Sequence, residues 1–166
     1  MMEIEARLQR MEDIEALRRM KHETYCGLID QGVCTGKREL IRPLLDRFTE
    51  DIVADFTGVG VFHGANAANF FIEAVPSMLS WSQHHVGNEV IDVQGDTAHA
   101  TWSLFVPAVS TELGPFGKKG PLILLGRYLE DYVRQNGIWK WRKIRAEFDV
   151  FATADRLWSE ALWSGQ

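Results

Sequence analysis

The stretch QHHVGNEVIDVQGDTAHATWSLFVPAV (residues 83–109) decides the fold. From Gln83 to Val93 apolar and polar residues alternate, the period of a strand with one buried face. Gln94-Gly95-Asp96 then supplies hairpin-turn chemistry. Residues 97–109 resume as a long strand carrying Trp102, Leu104 and Val106 on one face. The pattern repeats downstream: residues 122–134 read as a strand, Gln135-Asn136-Gly137 as a turn and residues 138–151 as the last long strand. Leu113 to Gly120 is a Gly/Pro/Lys loop, and residues 154–163 have weak helical spacing.

The first half has a different rhythm. Residues 3–29 carry Ile4, Leu8, Met11, Ile14, Leu17, Tyr25 and Leu28 near the helical period, which predicts one long helix. Cys26-Gly27 and Gln31-Gly32 weaken and end it. A second helical segment is expected over 37–48, with Pro43 in or near a first turn, and a third over 65–79, broken near Pro76. Residues 51–56 alternate as a short strand, Gly58 and Gly60 mark a turn, and Val61-Phe62 begin another strand. Helices followed by long antiparallel hairpins indicate an α+β fold, with the helices against one face of a curved sheet. The space between them is the natural place for a ligand.

Composition narrows the function classes. The chain of 166 residues suits a single domain, and 46% hydrophobic with 25% charged residues allows a full core. A net charge of −5 without a basic stripe argues against nucleic acid as partner. The charged, amphipathic opening has no apolar core of a signal peptide, and no apolar run is long enough to span a membrane. The two cysteines, Cys26 and Cys34, fit free thiols in a reducing cytoplasm. Six Trp and nine Phe exceed what a small cavity needs, so a homo-oligomer, trimer or dimer, is expected to cover the outer sheet face.

Several residues could carry chemistry. Tyr25 and Asp30 close the first helix, but five residues turn an ideal helix to about 140° off the starting face. Both reach one cavity only if the last turn loosens, which Gly27 permits. His84 and His85 are strand neighbours, so one faces inward and the other outward. A histidine beside a carboxylate is held in one tautomer, which leaves its other nitrogen as a base. His22, His63 and His99 lack such a context. His22-Glu23 begins like a zinc-protease helix, but Cys26 stands where the second His is required, so no metal is expected. Gly58, Gly60 and Gly64 lack the GK[ST] of a phosphate loop, and no GxSxG elbow occurs. Tyr128 and Tyr132 share one strand face, as do Trp139 and Trp141. An aromatic wall of this kind serves as core or as a substrate platform.

Taken together, MEDIEALRRMKHETYCGLID, SQHHVGNEVIDVQGDTAHATW and GRYLEDYVRQNGIWKW resemble the SnoaL-like branch of the nuclear transport factor 2-like superfamily over roughly residues 10–150. Its eliminating members include scytalone dehydratase, bile acid 7α-dehydratase and hexachlorocyclohexane dehydrochlorinase. The resemblance implies a cone-shaped α+β barrel, a curved sheet around the N-terminal helices enclosing an apolar pocket that works without a cofactor. It implies a dyad with His84 as general base, Asp30 as its orienter and Tyr25 as a polar partner. His84 is preferred to His85 on its spacing to Asn88 and the GDTA turn. His85, Tyr128, Arg145, Phe56 and Trp102 are assigned to the substrate wall, although the late strands offer no clean match to the family's leaving-group residue. The expected function is dehydratase-type elimination on a hydrophobic ring-bearing molecule. An isomerase or cyclase using the same dyad, and a non-catalytic binding module, are the alternatives.

Overall fold

The computed structural model describes residues 2–154. Among them seven strands make one mixed, curled sheet in the order β2-β1-β7-β6-β5-β3, with β4 also on β5. The strands are β1 (Phe48–Phe56), β2 (Gly60–His63), β3 (Leu79–Ser82), β4 (His85–Gln94), β5 (Thr97–Ser110), β6 (Gly120–Gln135) and β7 (Ile138–Thr153). All pairings are antiparallel except β1 on β7. The helices are α1 (Met2–Arg19), α2 (Arg42–Leu45), α3 (Ala65–Asn69) and α4 (Val75–Met78). This is the α+β arrangement of helices on a curved sheet that the residue pattern predicts, curled into the half-barrel form of the cone that the resemblance implies.

The long hairpins follow the expected turns. Asn136 and Gly137 both have positive φ, 52° and 78°, the geometry of a type I′ turn that continues the strand twist. Register shifts at Leu125/Gly126 and Asp131/Tyr132 bend β6 against β7. At the first of these the backbones approach closely, for a Cβ on Gly126 would lie 1.9 Å from the Glu147 carbonyl oxygen. Bending at these points curls the sheet, so that inward residues of β5, β6 and β7 converge on one interior. Trp102, Trp141, Tyr132 and Ile144 are fully buried there.

Three expectations are corrected. The first helix is not one regular α-helix ending at residue 29. It becomes π-helical over Met20–Gly27 and again over Ile29–Val33. The second segment is a single 3₁₀ turn, Arg38–Ile41, running into α2 with Pro43 in its first turn, and β1 already begins at Phe48. The third is continuous through a π-helical turn, Phe70–Ala74, and Pro76 sits in the first turn of α4, where its missing N–H costs nothing. The expected helical tail over 154–163 lies, but for its first residue, outside the described residues.

α1 is clasped to the barrel by Asp13. Its carboxylate accepts from Arg134 Nη2 at 2.6 Å and from Trp139 Nε1 at 3.2 Å. Burial alone would push the Asp13 pKa up, but the hydrogen bonds from Arg134, Trp139 and Gln9 outweigh it and hold the carboxyl below its usual range.

Candidate active site

The site forms where the sheet edge is interrupted. β3 and β4 both pair with β5, and between them Gln83 and His84 leave the ladder. Gln83 keeps one backbone bond, to the Pro107 carbonyl at 3.0 Å. The His84 backbone N–H turns instead to Asp30 Oδ2 at 2.7 Å. The same carboxylate meets the ring, with His84 Nδ1 2.7 Å from Asp30 Oδ1. Strand alternation continues through the break: Ser82 is buried, Gln83 exposed, His84 inward and His85 exposed.

Asp30 is fixed on a second side. Ser82 Oγ donates to Asp30 Oδ1 at 2.6 Å, and the Cys34 thiol lies 3.3 Å from Ser82 Oγ. Since the Ser82 proton is committed to Asp30, the thiol is the donor in that contact. Burial pushes the Cys34 pKa up to about 11, which keeps the proton on sulfur. The carboxylate thus accepts three hydrogen bonds while the His84 and Asp30 side chains are only 8% and 18% exposed. An ionised acceptor at Nδ1 places the imidazole proton there and leaves Nε2 with a lone pair.

His84 lines a cavity of about 90 Å³. Phe56, Phe70, Phe71, Phe148 and Phe151 line it together with aliphatic side chains, and Pro115 of the β5–β6 loop also contributes. The polar lining comes from His84, Tyr25 and Tyr128. The Tyr25 ring stands edge-on to His84 at 6.0 Å and to Tyr128 at 5.5 Å between centroids. Burial raises both phenol pKa values well above the ordinary one, and the neighbouring phenol and Glu130 add to this at Tyr25. Both tyrosines are therefore neutral hydrogen-bond donors. The π-helical turns answer the helix-face problem: with i→i+5 closure Tyr25 and Asp30 fall about one turn apart, so Tyr25 reaches the cavity while Asp30 stands behind His84.

Of the assigned wall residues, Phe56 and Tyr128 line the cavity. Three do not, and their placement is corrected. His85 is exposed on the outer sheet face, stacked on Phe105 at 5.8 Å, because it is one residue out of phase with His84. Arg145 lies outside as well, with Asp55 at 3.6 Å and Glu147 at 3.0 Å, since Ile144 and Ala146 take the inward positions of β7. Trp102 points inward but is core: it pairs across the sheet with Tyr128 and packs against His22 at 5.7 Å. Cys26 is buried, and burial pushes its pKa up to about 12, the state of an unreactive thiol. Among the described residues no group of three His, Cys, Asp or Glu side chains is arranged to hold a metal.

Four residues that the sequence reading passed over belong to the surroundings of this site. Ser82 lies two before His84, so alternation puts it on the same face. Cys34 follows the first helix and had no pattern to mark it. Glu130 lies between Tyr128 and Tyr132 at the strand period, a signal that it faces inward with them. Lys21 had no signal, for a lysine on a charged amphipathic helix normally lies in water. Here Lys21 and Glu130 are both fully buried, paired at 2.6 Å.

Comparison with known proteins agrees with this architecture. No curated protein matches the chain. Among solved structures, a provisionally assigned scytalone dehydratase from Novosphingobium aromaticivorans superposes with a TM-score of 0.70 at 19% identity, over 87% of this chain and 89% of that one. Hexachlorocyclohexane dehydrochlorinase LinA-type3 from Novosphingobium barchaimii gives 0.71 at 16% identity, over 88% and 92%. A nuclear transport factor 2-like superfamily protein from Salmonella enterica gives 0.62 at 18% identity, over 83% and 89%. At these identities the likeness is one of fold. The SnoaL-like domain model matches residues 9–145, and the chain belongs to that family.

Proposed function

We propose that this protein is a cofactor-independent lyase that removes water from a compact hydrophobic molecule carrying a ring and a carbonyl group. The observation that carries the reading is the His84–Asp30 pair set into an apolar wall, with Nε2 as the free basic nitrogen. Nε2 takes a proton from the carbon next to the carbonyl. The C–H electron pair becomes the carbon–carbon double bond of the enolate as the carbonyl π pair moves onto oxygen, where Tyr25 or Tyr128 donates a hydrogen bond. The enolate collapses, the carbon–carbon double bond forms, and the hydroxyl on the β carbon leaves with the proton returned by His84. Substrate becomes an unsaturated ketone plus water, and the enzyme is regenerated. Asp30 stabilises the imidazolium that exists between the two proton transfers, and the aromatic wall keeps bulk water from the enolate.

A panel of single-ring β-hydroxyketones, beginning with 3-hydroxycyclohexanone, tests this reading. Enone formation followed by ultraviolet absorbance, with deuterium entering the α carbon in heavy water, is the expected result. Ligands that bind with neither reaction would mark a binding module instead. One observation favours that second reading: the cavity is small, about 90 Å³, and five phenylalanines line it. We further propose a homo-oligomer built on the outer sheet face, where Trp81 and Phe105 are 43% and 41% exposed.

A further inference from the structure

Behind the aromatic floor of the cavity lies a buried ion pair that the proposed reaction does not use. Lys21 Nζ is 2.6 Å from Glu130 Oε1, and both side chains are 0% exposed. Tyr132 donates its hydroxyl to the other Glu130 oxygen. The ammonium is not centred on its carboxylate alone. It sits 3.4 Å from the centroid of the Tyr128 ring and 3.7 Å from that of Tyr25. Those are the two phenols that line the cavity, whereas neither Glu130 nor Tyr132 reaches its wall. The pair is therefore oriented, positive end toward the cavity and negative end toward the core.

Such a pair is costly to bury, and replacing one by apolar residues is often neutral for stability or better. A cation on the face of an aromatic ring draws electron density out of it, and the interaction is strongest where water is excluded. In a phenol that withdrawal polarises the O–H bond. The Glu130 carboxylate opposes the ammonium at both phenols, and Asp30 opposes it at Tyr128, but Glu130 stands on the core side of the ammonium, which lies against the rings themselves. Cys26, another titratable group close by, is held as a neutral thiol by burial.

We propose that Lys21 is a positioning residue for the cavity floor: its ammonium, laid on Tyr25 and Tyr128 and anchored by Glu130, makes both hydroxyls stronger donors toward negative charge on a ligand oxygen. This rests on the reading that Tyr25 and Tyr128 receive that oxygen. The role is indirect, since Lys21 touches the rings and not the cavity.

The test uses 4-nitrophenol, whose phenol and phenolate forms absorb at different wavelengths, and nitrobenzene as a probe of the same shape without the ionisable oxygen. Wild-type protein is expected to bind the phenolate form more tightly than the phenol, lowering the apparent pKa of the bound probe. Lys21→Met, and Lys21→Met combined with Glu130→Gln so that no unpaired carboxylate remains, are expected to raise it by about one unit, a tenfold loss of phenolate preference. Nitrobenzene affinity should not change. An unchanged phenolate preference in either folded variant would reduce Lys21 to a structural role and overturn the inference. Wild-type protein that binds 4-nitrophenol without preferring the phenolate would overturn it too, while leaving the floor as an oxygen site. Binding of nitrobenzene but not of 4-nitrophenol would overturn the reading of the floor itself.

Discussion

Asp30 holds His84 at two points, accepting from the ring Nδ1 and from the backbone N–H, each at 2.7 Å. The backbone contact positions the residue and the ring contact sets the tautomer. One carboxylate thus links the π-helical end of the first helix to the break between β3 and β4.

Asp30→Asn keeps the size of this side chain but offers an amide N–H as readily as an oxygen. The proposed mechanism then loses both the fixed tautomer and the stabilised imidazolium. Turnover of a reactive β-hydroxyketone should fall by about 10²–10⁴-fold, the usual worth of a positioned acid–base group, with KM changed little. Steady-state kinetics with a melting curve as control checks this.

Ser82→Ala removes a donor to Asp30 and leaves the buried Cys34 thiol without its acceptor. A buried group stripped of its partner costs about 1–3 kcal/mol. The melting temperature should fall by several degrees, while turnover falls far less than in His84→Ala, because both Asp30–His84 contacts remain.

The Asp13 clasp predicts a particular acid sensitivity. Its folded pKa lies below the ordinary carboxylate value of about 4, held there, against the effect of burial, by Arg134, Trp139 and Gln9. Its contribution to stability is therefore present above that ordinary value and is lost as pH falls through the lower, folded one. Wild-type protein should exceed Asp13→Asn in stability at neutral pH, and the gap should close below about pH 4. Denaturant titrations of the two proteins at stepped pH read this directly.

Trp102→Ala separates core from wall. The indole is buried and does not line the cavity. The change should cost about 3–5 kcal/mol of stability and leave ligand selectivity unaltered in the protein that remains folded. Phe56→Ala, which opens the wall, should instead enlarge the range of rings accepted.

The fold was legible because its signals are local. Period-two alternation from Gln83 onward and the Asn136-Gly137 turn each specify a strand or a hairpin by themselves. The His84–Asp30 pairing came from resemblance, and alternation supplied the opposite facing of His85. What was not legible depends on backbone that departs from the regular repeat. The π-helical turns that bring Tyr25 toward the cavity close at i→i+5, a spacing that the helical period of the apolar residues does not mark. Arg145 was misplaced because register shifts in β6 and β7 move the inward phase along the strand. Lys21 escaped because a charge on an amphipathic helix reads as solvated unless its partner, 109 residues away, is known.

The central claim is that His84, and not its neighbour, is the base. The direct measurement is enone formation from the same β-hydroxyketone by wild-type protein, His84→Ala and His85→Ala at matched folded concentration. The account predicts a loss of at least about 10²-fold in His84→Ala, and near wild-type rates in His85→Ala, whose side chain stacks on Phe105 outside the barrel. Full activity in His84→Ala, or its loss in His85→Ala alone, would contradict it.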